Sequence, residues 1–222
     1  MPEEKLPSIE VRKLGRIPYE EAQDLQIELV TRRRNGEIPD QLLLVEHPHV
    51  ITVGTSSQGN HILLSDEERK NRGIQLFEVG RGGDVTYHGP GQLVGYPILS
   101  LDPDRKDLHR YLRDLEEVLL QTLGYFGVSA SRAEGFTGVW APEGKVAAIG
   151  VRVSSGWITS HGFALNVDPD LSFFSTIVPC GIHDRPVASM AGILQRPIDV
   201  EEVVPTLVQS FEKVFLRRAI VV

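Results

Sequence analysis

Residues 80–92, Gly-Arg-Gly-Gly-Asp-Val-Thr-Tyr-His-Gly-Pro-Gly-Gln, hold five glycines in thirteen positions and constrain the chain more than any other stretch. Paired glycines let backbone amides approach a ligand with no Cβ in the way, and they permit positive φ. Asp84-Val85-Thr86-Tyr87-His88 then alternates as a strand with one apolar face does. The stretch reads as a glycine turn feeding a strand in the wall of a pocket, with a set of β-turns in a loop-rich sheet as the plainer alternative. It lacks the Gly-Lys-Ser/Thr end of a phosphate-binding loop and the Gly-x-Gly-x-x-Gly that opens a helix in a dinucleotide fold, so no nucleotide phosphate is implied.

At 222 residues and 41% apolar composition the chain can bury an ample core, and one domain spanning 1–222 is the simpler organisation. A net charge of −7 and a pI near 5.5 argue against nucleic acid as the main partner, because phosphate binding needs a basic face. The local exceptions are Arg32-Arg33-Arg34, Arg105-Lys106 with Arg110 and Arg113, and Arg217-Arg218, which either solvate the surface or meet acidic proteins. Cys180 is the single cysteine, so neither an intramolecular disulfide nor a Cys-x-x-Cys motif is available. The start, Met-Pro-Glu-Glu-Lys, has no signal-peptide character, and no apolar run approaches the ~20 residues that cross a bilayer. We therefore expect a cytoplasmic protein with no membrane partner.

The pattern over 18–34 is helical, with Tyr19, Ala22, Gln26 and Leu29 along one side and Leu25 and Ile27 widening the stripe. Strands are expected over 41–46 and 50–53, interrupted by His47-Pro48-His49; these two histidines have no third ligand nearby, so no metal is expected. Ser65-Asp66-Glu67-Glu68 is a capping box for a short helix closed by Gly73, and strands over 74–79 and 92–101 flank the glycine stretch. The longest helix starts at the N-cap Asp107 and runs to about Phe126, with Tyr111, Leu115, Val118, Leu119 and Leu123 at three-and-four spacing. Strand patterns over 138–141, 145–153 and 157–167 are joined tightly enough for an antiparallel meander. A helical turn over 171–177 and a helix over 199–218, kinked by Pro205, complete an α/β (α+β) architecture of a mixed sheet with helices packed on it.

Cys180 stands between proline and glycine, where a lone cysteine either packs as a small hydrophobe or reacts. Reaction needs a cation, since a thiol of pKa near 8.5 is only a few per cent thiolate at neutral pH. Lowering that value by ~1.5 units takes about 2 kcal/mol, and an ammonium ~4 Å away at an effective dielectric of 20 offers roughly 4. Lys145, at the mouth of the apolar run 146–150, is the candidate, with a snorkelling surface lysine as the plain alternative. His88 and His161, each in an apolar-alternating strand and followed by glycine, are either bases or hydrogen-bonded structural histidines.

Four stretches occur in order: Arg81-Gly82-Gly83-Asp84-Val85-Thr86-Tyr87-His88-Gly89-Pro90-Gly91-Gln92, Lys145-Val146-Ala147-Ala148-Ile149-Gly150-Val151-Arg152, His161-Gly162-Phe163-Ala164-Leu165-Asn166 and Pro179-Cys180-Gly181. With Glu46-His47-Pro48 and Thr52-Val53-Gly54 ahead of them, they resemble the successive signatures of the lipoyl(octanoyl) transferases over most of the chain. His49 and Ile182-His183-Asp184 depart from that pattern. The resemblance implies the fold of the biotin and lipoate protein ligases, a mixed, largely antiparallel sheet with packed helices. It implies an acyltransferase that moves an octanoyl or lipoyl group from acyl carrier protein to a specific lysine of lipoyl domains, the first step of endogenous lipoate attachment. The acceptors would be those of 2-oxoacid dehydrogenase complexes and the glycine cleavage H protein.

By the same match Cys180 would carry the acyl group as a thioester and Lys145 would lower its pKa. Residues 81–88, Ala148 to Gly150 and Gly162 to Ala164 would line the acyl pocket, and His161 or His88 could relay a proton. Some of the arginine clusters would face the pocket mouth and receive acidic partners. No cofactor and no metal is called for. An ATP-dependent lipoate or biotin ligase on the same fold is the alternative, and a catalytically silent acyl-binding scaffold is the reading from another class.

Overall fold

Strand periodicity sets the layout, because successive side chains alternate between the two faces of a sheet. The computed structural model describes residues 6–57, 61–178 and 186–222. Its strands are β1 (Ser8–Arg16), β2 (Asp40–Glu46), β3 (Val50–Val53), β4 (Gln75–Glu78), β5 (Val85–His88), β6 (Gln92–Ile98), β7 (Ser131–Ala133), β8 (Phe136–Ala141), β9 (Gly144–Ser154), β10 (Ile158–Asn166) and β11 (Arg218–Val221). Eight of them form one sheet in the order β11-β1-β2-β6-β10-β9-β8-β7, and β4-β3-β5 form a small second sheet. In the large sheet β1 runs parallel to both neighbours and every other pair is antiparallel. The mixed, largely antiparallel sheet is the expected one, including the β8–β9–β10 meander.

The helices are α1 (Tyr19–Arg34), α2 (Asp66–Asn71), α3 (Leu108–Tyr125), α4 (Met190–Leu194) and α5 (Val200–Phe215). Asp107 caps α3 by accepting from the amides of His109 and Arg110, and Ser65 and Glu68 close both halves of the capping box on α2. The buried side of α1 is Tyr19, Ala22, Gln26 and Leu29, the stripe read from the sequence, whereas Ile27 is 61% exposed and does not widen it. Helix α5 continues through Pro205, which sits on its exposed side and forgoes one backbone bond. It ends earlier than its periodicity suggests: Leu216 turns left-handed (φ 52°), and the next residues pair with β1. Strands β1, β7 and β11 and helix α4 were not anticipated; β7 and β11 are three- and four-residue edge strands that owe their form to the neighbour they pair with rather than to propensity.

Leu42, Leu44, Leu93 and Leu165 face α3 and α5 and form the main core with Leu115, Leu119, Leu207 and Phe211. Leu43, Val45, Val94 and Ala164 face the other way, toward Ala22 and Leu29 of α1. Four of the clustered arginines are committed to carboxylates. Arg33 and Arg217 converge on buried Asp40 (2.7 and 3.0 Å), Arg105 pairs with Asp114, and Arg113 and Arg132 hold buried Glu116 (2.6 and 3.1 Å). Burying a carboxylate demands a cation beside it, and these arginines meet that demand.

Candidate active site

On the α1 side of the large sheet, β5, β6 and the β9–β10 hairpin enclose a cavity with about 540 Å³ of empty space, part of it open to solvent. The glycine-rich turn forms one rim, as the sequence implied: Gly83 takes φ 87°, and the Gly82 amide bonds the Val151 carbonyl at 2.9 Å. Thr86 and His88 of β5 face the cavity, while Val85 and Tyr87 pack in the small sheet's own cluster, from which Val85 also reaches the cavity. Opposite stand Ala148, Ile149, Phe163 and Ala164, an apolar wall from β9 and β10. Close approach explains two of the glycines here. A Cβ on Gly162 would lie 2.1 Å from the Gly95 carbonyl oxygen, and one on Gly150 would lie 3.0 Å from both Arg81 Cδ and the Gly82 oxygen.

Lys145 stands at the start of β9, and its side chain lines both this cavity and a smaller adjoining cleft that includes Thr86, Gln92, Asn166 and Phe174. Its stem lies over Gly138, where a Cβ would come within 2.7 Å of Lys145 Cε, and its ammonium is 5.1 Å from the centre of the Trp140 ring. Its amide donates to the Pro186 carbonyl (2.9 Å) and its carbonyl accepts from Ala188 (3.0 Å). Cys180 lies outside the described residues, within the segment 179–185.

Arg81 is buried, with Nη2 donating to the carbonyl and hydroxyl of Thr52 (2.8 and 2.9 Å) and Nη1 to the Gly82 carbonyl (3.1 Å). Around it are Tyr19, His88, Tyr96 and His161, all lining the cavity, with His47 behind them. Burial pushes the imidazoles down: His88 to about 3, with His47 and Arg81 adding to the effect, and His161 to about 4, where Arg81 also contributes. His47 is lowered to about 4 by burial, and Tyr19 is raised to about 12 by burial against the pull of Arg81. These histidines are therefore neutral near pH 7. His161 is a non-glycine residue at φ 55°, held there by its amide donating to Gln26 Oε1 at 2.8 Å.

Most residues selected from the sequence thus converge on one cavity. Asp84 and Tyr87 do not line it: Asp84 pairs with His61, and the Tyr87 hydroxyl bonds His49 (2.7 Å) while its ring stacks on Phe173. Both brace the strand that carries Thr86 and His88. His47 and His49 are likewise committed separately, His47 to the Ile17 carbonyl and the Tyr96 hydroxyl. Tyr19, Val94 and Tyr96 line the cavity and were missed. The available signal was a tyrosine in each of two buried stripes, whose hydroxyl must find a polar partner.

A sheet of this order, with α3 and α5 on one face and α1 on the other, has the fold of the lipoate and biotin protein ligases. The chain superimposes on a bi-partite lipoate protein ligase from Thermoplasma acidophilum (TM-score 0.71, 18% identity, 97% of this chain and 88% of that one). It also superimposes on lipoate-protein ligase A bound with ATP (TM-score 0.72, 17% identity, 98% and 89%) and, less closely, on apo biotin protein ligase from Aquifex aeolicus (TM-score 0.52, 12%, 94% and 69%). The chain belongs to the lipoyl protein ligase A/B catalytic domain family, whose sequence profile matches residues 18–212. It is 50% identical to the octanoyltransferase of Rubrobacter xylanophilus over 214 residues, 96% of each chain, and 49% identical to that of Solibacter usitatus over 205 residues, 92% of each.

Proposed function

We propose that this chain, acting as one catalytic unit in the cytoplasm, carries an octanoyl group through a thioester on Cys180 from octanoyl-acyl carrier protein to a lysine of a lipoyl domain. It is an enzyme, an octanoyltransferase, as its relatives of about half-identical sequence are. The observation that carries the covalent reading is Lys145 at the rim of an apolar cavity, with its backbone bonded to residues 186 and 188, a few positions after Cys180 in the chain. The Ala148, Ile149 and Phe163 wall would hold the tail, where each buried methylene contributes about 0.8 kcal/mol.

In the first displacement the Cys180 thiolate attacks the donor's carbonyl carbon, and the carbon–sulfur bond to the carrier breaks. Lys145 Nζ gives a proton to the departing carrier sulfur and is left neutral. In the second, the acceptor amine forms the new carbon–nitrogen bond, the bond to Cys180 breaks with its electron pair on sulfur, and the amine's proton returns to Lys145. One lysine closes the cycle. His161 is a poorer proton store, since charging an imidazole of pKa about 4 at pH 7 costs about 4 kcal/mol. Backbone amides of the glycine-rich turn or of Gly162 would hold the oxyanion.

Both transfers run without nucleotide. Intact-mass measurement after mixing with octanoyl-acyl carrier protein in the absence of ATP should show one octanoyl addition that is absent in Cys180→Ser. An unmodified wild-type chain that transfers only when ATP is supplied would make it a ligase instead.

A further inference from the structure

A chain of hydrogen bonds runs behind the cavity wall, and its polarity is dictated by two backbone carbonyls that can only accept. Asn166 Nδ2 donates to the Ala188 carbonyl at 3.0 Å and reaches the Lys145 carbonyl at 3.5 Å. Asn166 therefore turns Oδ1 toward Gln92, whose Nε2 donates to it and to the Tyr87 carbonyl, each at 3.1 Å. Gln92 is left with Oε1 facing His88 Nδ1 at 3.1 Å. Gln92 and Asn166 are 1% and 5% exposed, so water cannot stand in for these partners. An oxygen opposite Nδ1 requires the proton on Nδ1, because the other tautomer would set two lone pairs against each other. His88 is then a neutral ring with its lone pair on Nε2, in a side chain that lines the cavity and makes no other hydrogen bond among the described residues.

That lone pair needs a donor. The octanoyl tail has no polar hydrogen and a thioester carbonyl only accepts, whereas an attacking amine brings N–H groups. Arg81 directs Nη2 at Thr52 and Nη1 at the Gly82 carbonyl, and the Tyr96 hydroxyl proton is spent on His47, whose Nδ1 donates to the Ile17 carbonyl. His161 also carries a ring lone pair, but it pairs with Val151, six positions along β9 from Lys145. The relay to His88, in contrast, is anchored on the backbone of Lys145 and of Ala188, which itself bonds Lys145.

We infer that His88 Nε2 accepts a hydrogen bond from the acceptor lysine's amine and so turns the amine's own lone pair toward the acyl carbon, with Gln92 and Asn166 as positioning residues that enforce this tautomer. His88 keeps its own proton throughout, and the amine's proton still passes to Lys145. The inference rests on the two-step thioester route proposed above and adds the group that receives the nucleophile in its second step.

Two measurements test it on the full chain. Long-range ¹H–¹⁵N spectra of the wild-type protein at pH 7 should show His88 protonated at Nδ1 and bare at Nε2; the reverse tautomer overturns the inference. Single-turnover kinetics should then separate octanoyl uptake from octanoyl-acyl carrier protein, read by intact mass, from transfer to an unmodified lipoyl domain. His88→Phe should slow transfer at least tenfold more than uptake, and His88→Gln, which restores an acceptor oxygen, should recover part of that loss. Equal slowing of both steps, or of neither, overturns the role of His88 while leaving the thioester route standing. A wild-type chain that never takes up octanoyl removes the route itself, and the inference with it.

Discussion

The two faces of the large sheet are built from the same strands and do opposite work. On the α3–α5 face, Leu115, Leu119, Leu207 and Phe211 meet Leu42, Leu93 and Leu165 in a wholly apolar contact. On the α1 face the same strands present Tyr96, Ala148, Ala164 and His161 to a cavity that also buries Arg81, His88 and Tyr19. Apolar burial stabilises at about 25 cal/mol per Å², whereas each buried polar group only breaks even when it is hydrogen-bonded. One face therefore supplies the stability that the other spends in holding an oriented, water-poor site. His161, at φ 55° between Gln26 and the cavity, illustrates the second role.

Substitutions on opposite faces should accordingly separate activity from stability. Lys145→Met keeps the stem over Gly138 but removes the charge, and should lower octanoyl uptake by about 10²- to 10⁴-fold with little change in urea midpoint. A variant that loads at the normal rate would remove Lys145 from the chemistry. Leu119→Ala on the apolar face should cost about 2–5 kcal/mol in urea unfolding, while the folded fraction keeps its rate per molecule.

Acid distinguishes the faces next. His47, His88 and His161 have folded values of about 4, 3 and 4, below the unfolded value near 6.5. As pH falls below about 6.5 the unfolded chain takes up protons that the folded chain refuses. Stability should then drain by up to about 1.4 kcal/mol per pH unit for each histidine, with none of this loss above that pH. A urea midpoint that stays level from pH 7 to pH 5 would contradict the neutral burial of these rings, and the Leu119→Ala penalty should not vary over the same range. The smallest effect is expected from Gly150→Ala, whose Cβ would press on Arg81 and the Gly82 carbonyl at 3.0 Å. Loss of about one methylene's worth of contact should raise KM for an octanoyl donor about fourfold and leave shorter acyl donors less affected.

Much of this was legible in the chain. The buried stripe of α1, the caps at Asp107 and Ser65, and the β8–β9–β10 meander follow from local rules that act over a few residues. The glycine-rich turn announced a pocket wall because glycine readily adopts the positive φ seen at Gly83. Strand β11 was not anticipated, because its four residues become a strand only when the edge of β1 is there to pair with. A sequence does not reveal which carboxylates lie beside the clustered arginines. Asp40 meets Arg217 across 177 positions.

From composition, spacing and periodicity alone came most of the elements, the alternation of faces and the glycine turn, since each depends on neighbours within a turn or two of chain; the family came from the resemblance of the ordered motifs. Tertiary structure alone decided that Tyr19 and Tyr96 join the cavity, that Asp84 and Tyr87 stand outside it, and that the histidines are neutral. Burial and hydrogen-bond direction are properties of what surrounds a side chain, and those surroundings come from strands far apart in the chain.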